Sequence, residues 1–398
     1  MMKFYYENSD FKNVPNGNGT CKVDSLDINY GFKFPIFELN ETDSIIWNFS
    51  FDGELVCTTL ENNINYFNNV FKLVESKPNV KLVFSSFQEG NNMNDFVLKL
   101  IELKNNYKLK SNQVILITIN NYFEKFTNEI LVISKPYLLG WWASEYKTLS
   151  LPNIFDTETQ ISTVTSGVND YIMNEKDSFF LLYNRNSKKT FRVQIMLWLL
   201  KTGLINNTKF SLLIKDNDID LNLLISKKEE LKDLWKFYSK YDDLPYTMID
   251  WNYPNDINEP LSSKPNYSNT NFSIILESSF NSESLNLTEK SFKPFANCHP
   301  FLIIGDVFAN TQLTNYGFSL YNDLIDYSFD IISDNEERLN RALIELKRIH
   351  SLGEAHITDW YKSNIEKIKE NQRVFFTYSY KNLINDTIRD LKVISQTK

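Results

Sequence analysis

Apolar residues in the first half of the chain fall into short unbroken runs, separated by stretches where they recur every three or four positions. Lys81-Leu82-Val83-Phe84-Ser85-Ser86 and Gln113-Val114-Ile115-Leu116-Ile117-Thr118-Ile119 are β-branched and aromatic runs of the kind that form buried strands. Between them Phe96, Val97, Leu100, Ile101 and Leu103 lie close to helical spacing, so a helix is expected over Met93 to Lys104. Ser44 to Ser50 supplies a further strand. Strand, helix, strand is the alternation of a parallel sheet flanked by helices.

The weakly hydrophobic stretch from Thr157 to Asp177 interrupts this rhythm, and a second series begins beyond it. Strands are expected at Phe179 to Tyr183, Phe210 to Ile214, Phe272 to Leu276 and Phe301 to Gly305. Helices are expected at Phe191 to Lys201, Lys227 to Lys240, Glu289 to Cys298 and Asn335 to Ile349. The order is again β-α-β-α. Pro254 to Asn271, dense in Asn, Pro and Ser, is expected to be a loop. Residues from His350 onward form a helical tail. The expected organisation is an N-terminal α/β domain over 1–165, a second α/β domain over 166–349, and a tail over 350–398 packing back on the lobes.

A chain of 398 residues exceeds the usual size of one core, which agrees with two domains. With 42 basic and 50 acidic residues the net charge is −8, so a nucleic-acid backbone is disfavoured as main partner. Cys21, Cys57 and Cys298 form neither a CxxC pair nor an even framework. The N-terminus lacks the apolar run of a signal peptide. No window approaches the ~20 apolar residues of a membrane span, and a cytoplasmic protein is expected.

Candidate chemistry concentrates between Phe272 and Gly305. There an apolar strand ends in Glu277-Ser278-Ser279, and Leu287-Thr288-Glu289-Lys290 opens a helix after a polar loop. In a parallel sheet the loop after a strand and the next helix N-terminus form the ligand edge. Thr288 suits an N-cap. The helix start and Lys290 suit a diphosphate, while the Glu289 carboxylate can accept hydrogen bonds from ribose hydroxyls. Taken alone, Thr-Glu-Lys also describes any capped helix start. A second strand end, Tyr183-Asn184-Arg185-Asn186-Ser187-Lys188-Lys189-Thr190-Phe191-Arg192, carries cations to a helix start as well. Arg192 or Arg185 facing Lys290 would neutralise a diphosphate leaving group.

Taken in order, these words run strand, Asn184, Arg192, Phe272-x-Ile-x-x-Glu277, Leu-Thr-Glu-Lys and Pro300-Phe-Leu-Ile-Ile-Gly305. Tyr316-Gly317-Phe318 and Asp326-Tyr327-Ser328-Phe329-Asp330 follow downstream. The pattern over roughly residues 179 to 340 resembles the donor-binding domain of the α1,3-fucosyltransferase family and its viral and bacterial relatives. The resemblance implies a GT-B-like α/β fold, in which two Rossmann-like domains face a central cleft. It also implies inverting, metal-independent transfer of a sugar, fucose in that family, from a GDP-sugar to a glycan or other hydroxyl acceptor. By that analogy Arg192 and Lys290 hold the diphosphate, Glu289 the ribose, and Glu277 a hydroxyl or a neighbouring polar group. A viral source would make the location host cytoplasm.

Inversion needs a carboxylate base from the acceptor side. Glu89, in Ser-Ser-Phe-Gln-Glu-Gly after a strand, is the first candidate; Glu145, after Trp141-Trp142-Ala143-Ser144, is the second. The Trp pair has the shape to stack on a sugar ring. The N-terminal half carries no word that matches the family, and the loop between Glu277 and Thr288 is longer.

Asp216-Asn217-Asp218 has the spacing of a metal-binding Asp-x-Asp but no second ligand cluster, so no required metal or cofactor is expected. His299, His350 and His356 are too dispersed for a zinc set, and His299 is expected to be structural. No GxGxxG, GxxxxGK[ST] or GxSxG occurs. Two other readings stand beside sugar transfer to a glycan: transfer to a modified base in DNA, and a non-catalytic protein on the same scaffold.

Overall fold

The computed structural model describes residues 4–7, 45–51, 64–75, 80–86, 93–119, 121–150, 167–186, 190–213, 264–280, 285 and 287–396. In its first part the elements are β1 (Phe4–Glu7), β2 (Ile45–Phe51), α1 (Ile64–Glu75), β3 (Val80–Ser86), α2 (Met93–Asn106), β4 (Val114–Thr118), β5 (Leu131–Ser134) and α3 (Tyr137–Ser150). Then come β6 (Ser178–Asn186), α4 (Thr190–Lys201), β7 (Thr208–Leu213), α5 (Lys264–Ser268), β8 (Thr270–Leu276), α6 (Glu289–Ala296) and β9 (Phe301–Ile304). Four helices close the chain: α7 (Ala309–Asn315), α8 (Asn335–Ser363), α9 (Ile365–Thr377) and α10 (Tyr380–Gln396). By contacts the chain divides into one unit of Met1–Gly140, Ser282–Asn286 and Tyr380–Lys398 and another of Trp141–Asn281 and Leu287–Ser379. The expected fold class is present: two parallel sheets with flanking helices and a helical C-terminal region.

The first unit holds a five-stranded sheet in the order β1-β2-β3-β4-β5, parallel throughout. Each step moves to the next strand in the same direction, and crossovers of one hand then deliver their helices to one face. There Phe67, Phe71 and Val74 of α1 and Phe96, Val97, Leu100 and Leu103 of α2 pack on Leu82, Phe84, Val114 and Leu116. Strand side chains alternate between faces, so Val83, Ile115 and Ile117 point the other way. Ile384, Ile388 and Leu391 of α10 and Tyr137 cover them. Each aliphatic side chain so buried is worth roughly 1.5 to 3 kcal/mol of transfer free energy. The Tyr137 hydroxyl meets Thr387 Oγ1, and Lys135 pairs with Asp390 at 2.7 Å. The far end of the chain thus supplies the second half of this sandwich.

The second unit holds a four-stranded parallel sheet in the order β7-β6-β8-β9. From β6 the chain steps outward to β7, then returns past β6 to β8 and β9. The direction of winding therefore reverses between β6 and β8. Every residue of β8 and β9 is buried, which matches the apolar run of β9 and the Ile274-Ile275-Leu276 end of β8.

The helix α5 and the start of β8 fall inside the loop expected over Pro254 to Asn271, the helix expected over Lys227 to Lys240 lies outside the described residues, and two further helices differ from the expected spans. Pro294 inside α6 cannot donate to the helix ladder. The helix stops at Ala296, where Cys298 at φ 53° and the bond from His299 N to Pro294 O (2.9 Å) close it. The helix expected to end at Ile349 instead continues to Ser363, kinked at Gly353 (φ 81°). Among the described residues no helix is long and apolar enough to cross a membrane.

Candidate functional site

A parallel sheet binds ligands outside the carboxyl ends of its strands where the winding reverses, because the two loops there depart to opposite faces and leave a crevice. In the second sheet that place lies between the ends of β6 and β8. The donor-binding residues singled out in the sequence all come from the two segments that leave it. Asn184 and Arg185 lie at the end of β6, Arg192 in the first turn of α4, Glu277 just beyond β8, and Thr288, Glu289 and Lys290 at the start of α6.

Glu277 joins them. It is 1% exposed, and its carboxylate accepts from the Thr288 N–H (2.9 Å) and hydroxyl (2.8 Å), from the Ser278 N–H (3.2 Å) and from the Ser291 hydroxyl. A buried carboxylate needs this density of donors. Its effect is to tie the end of β8 to the start of α6. The Thr288 hydroxyl donates to Glu277 and accepts from the Lys290 N–H at 3.4 Å, so Thr288 caps the helix as its sequence position predicts.

Arg192, 3% exposed, approaches the same loop from the other side. Its Nη2 donates to the carbonyl oxygens of Leu276 (3.2 Å) and Glu277 (2.9 Å). The guanidinium fixes the two peptide units on which the Glu277 side chain depends. Arg192, Glu277, Thr288, Lys290 and Glu289 are in this way linked in one hydrogen-bonded chain.

The outer end of that chain is charged and half-buried. Lys290 Nζ donates to Glu289 Oε1 at 2.7 Å and to Thr288 Oγ1 at 3.3 Å. Burial works to raise the Glu289 pKa, but the ammonium groups of Lys290 and Lys293 and the hydrogen bond from Lys290 outweigh it and bring it down to about 2. Glu289 is therefore a fixed anion and an acceptor at any physiological pH. Lys293, one helical turn on, is buried and sits 5.9 Å from the centre of the Trp142 ring. That ring belongs to the tryptophan pair noted in the sequence; the side chains of Trp141 and Glu145 lie outside the described residues. So do Glu89, Asp216 to Asp218, and the side chains of Asn184 and Arg185.

The neighbouring β9 edge contains groups that sequence patterns did not reveal. A Cβ on Gly305 would stand 3.2 Å from that of Glu277 and 3.3 Å from that of Ala309, so any larger residue would press the two loops apart by a few tenths of an ångström. Asn310 pairs its side-chain amide with both the N–H and the carbonyl of Ile303 (3.0 and 2.9 Å), acting as a further rung on the sheet edge. Asp330 receives the N–H groups of Asn310 (3.0 Å) and Thr311 (2.8 Å) and so caps α7. Arg338 donates to Gly305 O at 3.1 Å and to Ile332 O at 2.8 Å while lying over the Phe280 ring. Two buried arginines, Arg192 and Arg338, thus brace the loops after β8 and β9. Only the Asp326-to-Asp330 word hinted at this second brace.

His299 is structural, as expected. It is wholly buried, its Nδ1 lies 2.8 Å from Ser273 Oγ, and its Nε2 donates to Thr270 O at 3.0 Å. Burial pushes its pKa down to about 3 against the opposing hydrogen bond to Thr270. Among the described residues no group of three or more His, Cys, Asp or Glu side chains could hold a metal.

No family model matches the chain, and no curated protein matches its sequence. Among solved structures it is similar to a glycosyltransferase from Rickettsia africae, with TM-score 0.40 and 10% identity over 89% of this chain and 91% of that one. It is also similar to a UDP-forming α,α-trehalose-phosphate synthase from Burkholderia xenovorans, with TM-score 0.38 and 11% identity over 88% and 73% of the two chains. For the synthase from Burkholderia vietnamiensis the values are 0.33 and 9% over 88% and 71%. These are distant likenesses.

Proposed function

We propose that this protein is a glycosyltransferase that binds a nucleoside-diphosphate sugar at the reversal of its second sheet and passes the sugar to a hydroxyl acceptor with inversion. The observation that carries this reading is the hydrogen-bonded chain from Arg192 through Glu277 and Thr288 to Lys290 and Glu289, drawn from the two segments that leave the crevice. Lys290 offers its ammonium to the diphosphate. Glu289, held ionised, accepts from the ribose hydroxyls. Arg192, whose Nη2 is occupied by two carbonyl oxygens, supports the diphosphate by holding the loop in place. Asn184 and Arg185 are assigned to the same donor site from the end of β6.

The sequence resemblance supports the finer assignments: a GT-B arrangement, a GDP-sugar, fucose as the group moved, and a reaction without a metal. Transfer is a single displacement. The acceptor oxygen forms the new bond to the anomeric carbon as the bond to the diphosphate breaks, and a carboxylate takes the acceptor proton. Glu89 is proposed as that base, with Glu145 second.

The test is calorimetric titration with UDP, GDP, ADP and CDP, followed by turnover of the matching nucleotide sugars. One diphosphate should bind, and Lys290→Ala should weaken it more than tenfold while leaving the melting temperature within about 2 °C, as befits a half-buried ion pair. Glu89→Gln should bind donor normally and lose turnover. Absence of binding by all four nucleotides removes the proposal, and turnover retained by Glu89→Gln moves the base to Glu145.

A further inference from the structure

Three non-glycine residues among those described adopt the left-handed backbone conformation: Lys108 (φ 52°), Cys298 (φ 53°) and Phe308 (φ 67°). The first two need no special explanation. Each follows the end of a helix, where a left-handed residue turns the chain and satisfies the last carbonyls: Leu109 N bonds Lys104 O at 3.0 Å, and His299 N bonds Pro294 O at 2.9 Å. Phe308 stands instead at the start of a helix, as the N-cap of α7, and has no side-chain cap to offer. A bulky residue is a true outlier there, whereas Asn or Asp would tolerate the conformation and cap the helix.

Core packing does not repay the strain, since Phe308 is 49% exposed and Ile331, which follows the Asp330 whose carbonyl Phe308 bonds, is 62% exposed. The surroundings hold it in place regardless. Phe308 N donates to Asp330 O at 2.7 Å, Ala309 N to Asp306 O at 3.1 Å, and the Asp330 carboxylate grips Asn310 and Thr311. Strain that is over-determined by its neighbours and returns no packing points to a ligand. The position agrees: Phe308 follows β9 on the carboxyl edge of the sheet, and the next residue, Ala309, packs through Gly305 toward Glu277, the hub of the donor site.

We propose that Phe308 is the platform on which the base of the nucleotide donor stacks, an inference that rests on the donor-site reading above. An aromatic face accepts any base, so this contact supplies affinity, while the choice of base falls to polar groups around it.

The experiment measures binding of the best nucleoside diphosphate and of inorganic pyrophosphate to the full chain, with Phe308→Asn and Phe308→Tyr. Expected for Phe308→Asn is at least about a fivefold loss of nucleotide affinity, the lower end of a base–aromatic stack, with pyrophosphate affinity unchanged and a melting temperature no lower than wild type. Phe308→Tyr should keep wild-type affinity. Unchanged nucleotide affinity in Phe308→Asn overturns the inference, as does an equal loss for both ligands, or a fall in melting temperature that marks Phe308 as part of the core. Wild-type protein that binds no nucleoside diphosphate would instead remove the donor site itself, an outcome distinct from these.

Discussion

The two sheets of this protein are both parallel, yet they solve opposite problems. In the first, strand order follows chain order and the crossovers all advance one way; in the second, the order β7-β6-β8-β9 turns back on itself. A sheet that never reverses has no pair of adjacent strands whose loops diverge, so it builds no crevice of that kind. Among the described residues its crossover helices α1 and α2 pack on one face, while α10, from much later in the chain, covers the other together with Tyr137. The reversing sheet gathers its polar groups where its winding changes direction. Strand order alone therefore tells which sheet is the candidate for chemistry and which is in need of a lid for its core.

The strongest way to break this contrast is to spoil the borrowed face. Ile388→Asp places an unpaired charge against Ile115 and Ile117, and should cost more than about 4 kcal/mol in urea unfolding, with loss of hydrogen-exchange protection in β3 and β4. Retained protection would mean that the face does not depend on α10. A smaller effect is expected at the crevice. Arg192→Ala removes a buried cation from two carbonyl oxygens and should destabilise by about 2 to 4 kcal/mol, with nucleotide affinity falling alongside. A variant that keeps full stability would show that the loop after β8 holds itself.

The smallest effect concerns His299. Its folded pKa of about 3 lies below the ordinary 6.5, so the unfolded chain binds the extra proton. The stability it contributes is complete above pH 6.5 and is lost as pH falls toward 3. Urea midpoints should therefore decline between pH 6.5 and 5, above the carboxylate range, and His299→Gln should flatten that decline. His350, also lowered by burial, acts in the same direction. A slope unaltered by His299→Gln would contradict the assigned neutral form.

Much of this was legible in the sequence, and the gaps have physical reasons. Strands β3, β4, β8 and β9 announce themselves as apolar runs because both their faces are buried. Helix α1 does not, because Asn65, Asn68 and Asn69 dilute the Phe67, Phe71, Val74 stripe with poor helix formers. Thr288, Glu289 and Lys290 were visible because capping is local and one helix start holds all three. That Glu277 bonds Thr288 and Ser291 across a loop could be suspected only from its place after a strand. The Arg338 and Asp330 brace joins residues far apart in sequence through backbone carbonyls, which carry no residue-specific mark. Nor does a helical tail disclose which sheet face it will fill.

The return of α10 to the first sheet has a consequence for biosynthesis. As the ribosome extends the chain, the strands and first helices of that sheet emerge early; of the described residues that pack on Val83, Ile115 and Ile117, Tyr137 is made with them, but Ile384, Ile388 and Leu391 of α10 follow only after the strands of the second unit. The second unit, by contrast, has all its strands and crossover helices before α10 is made. The part synthesised first is thus completed late, and a chain stopped before Tyr380 would carry that apolar face without α10 and open to aggregation.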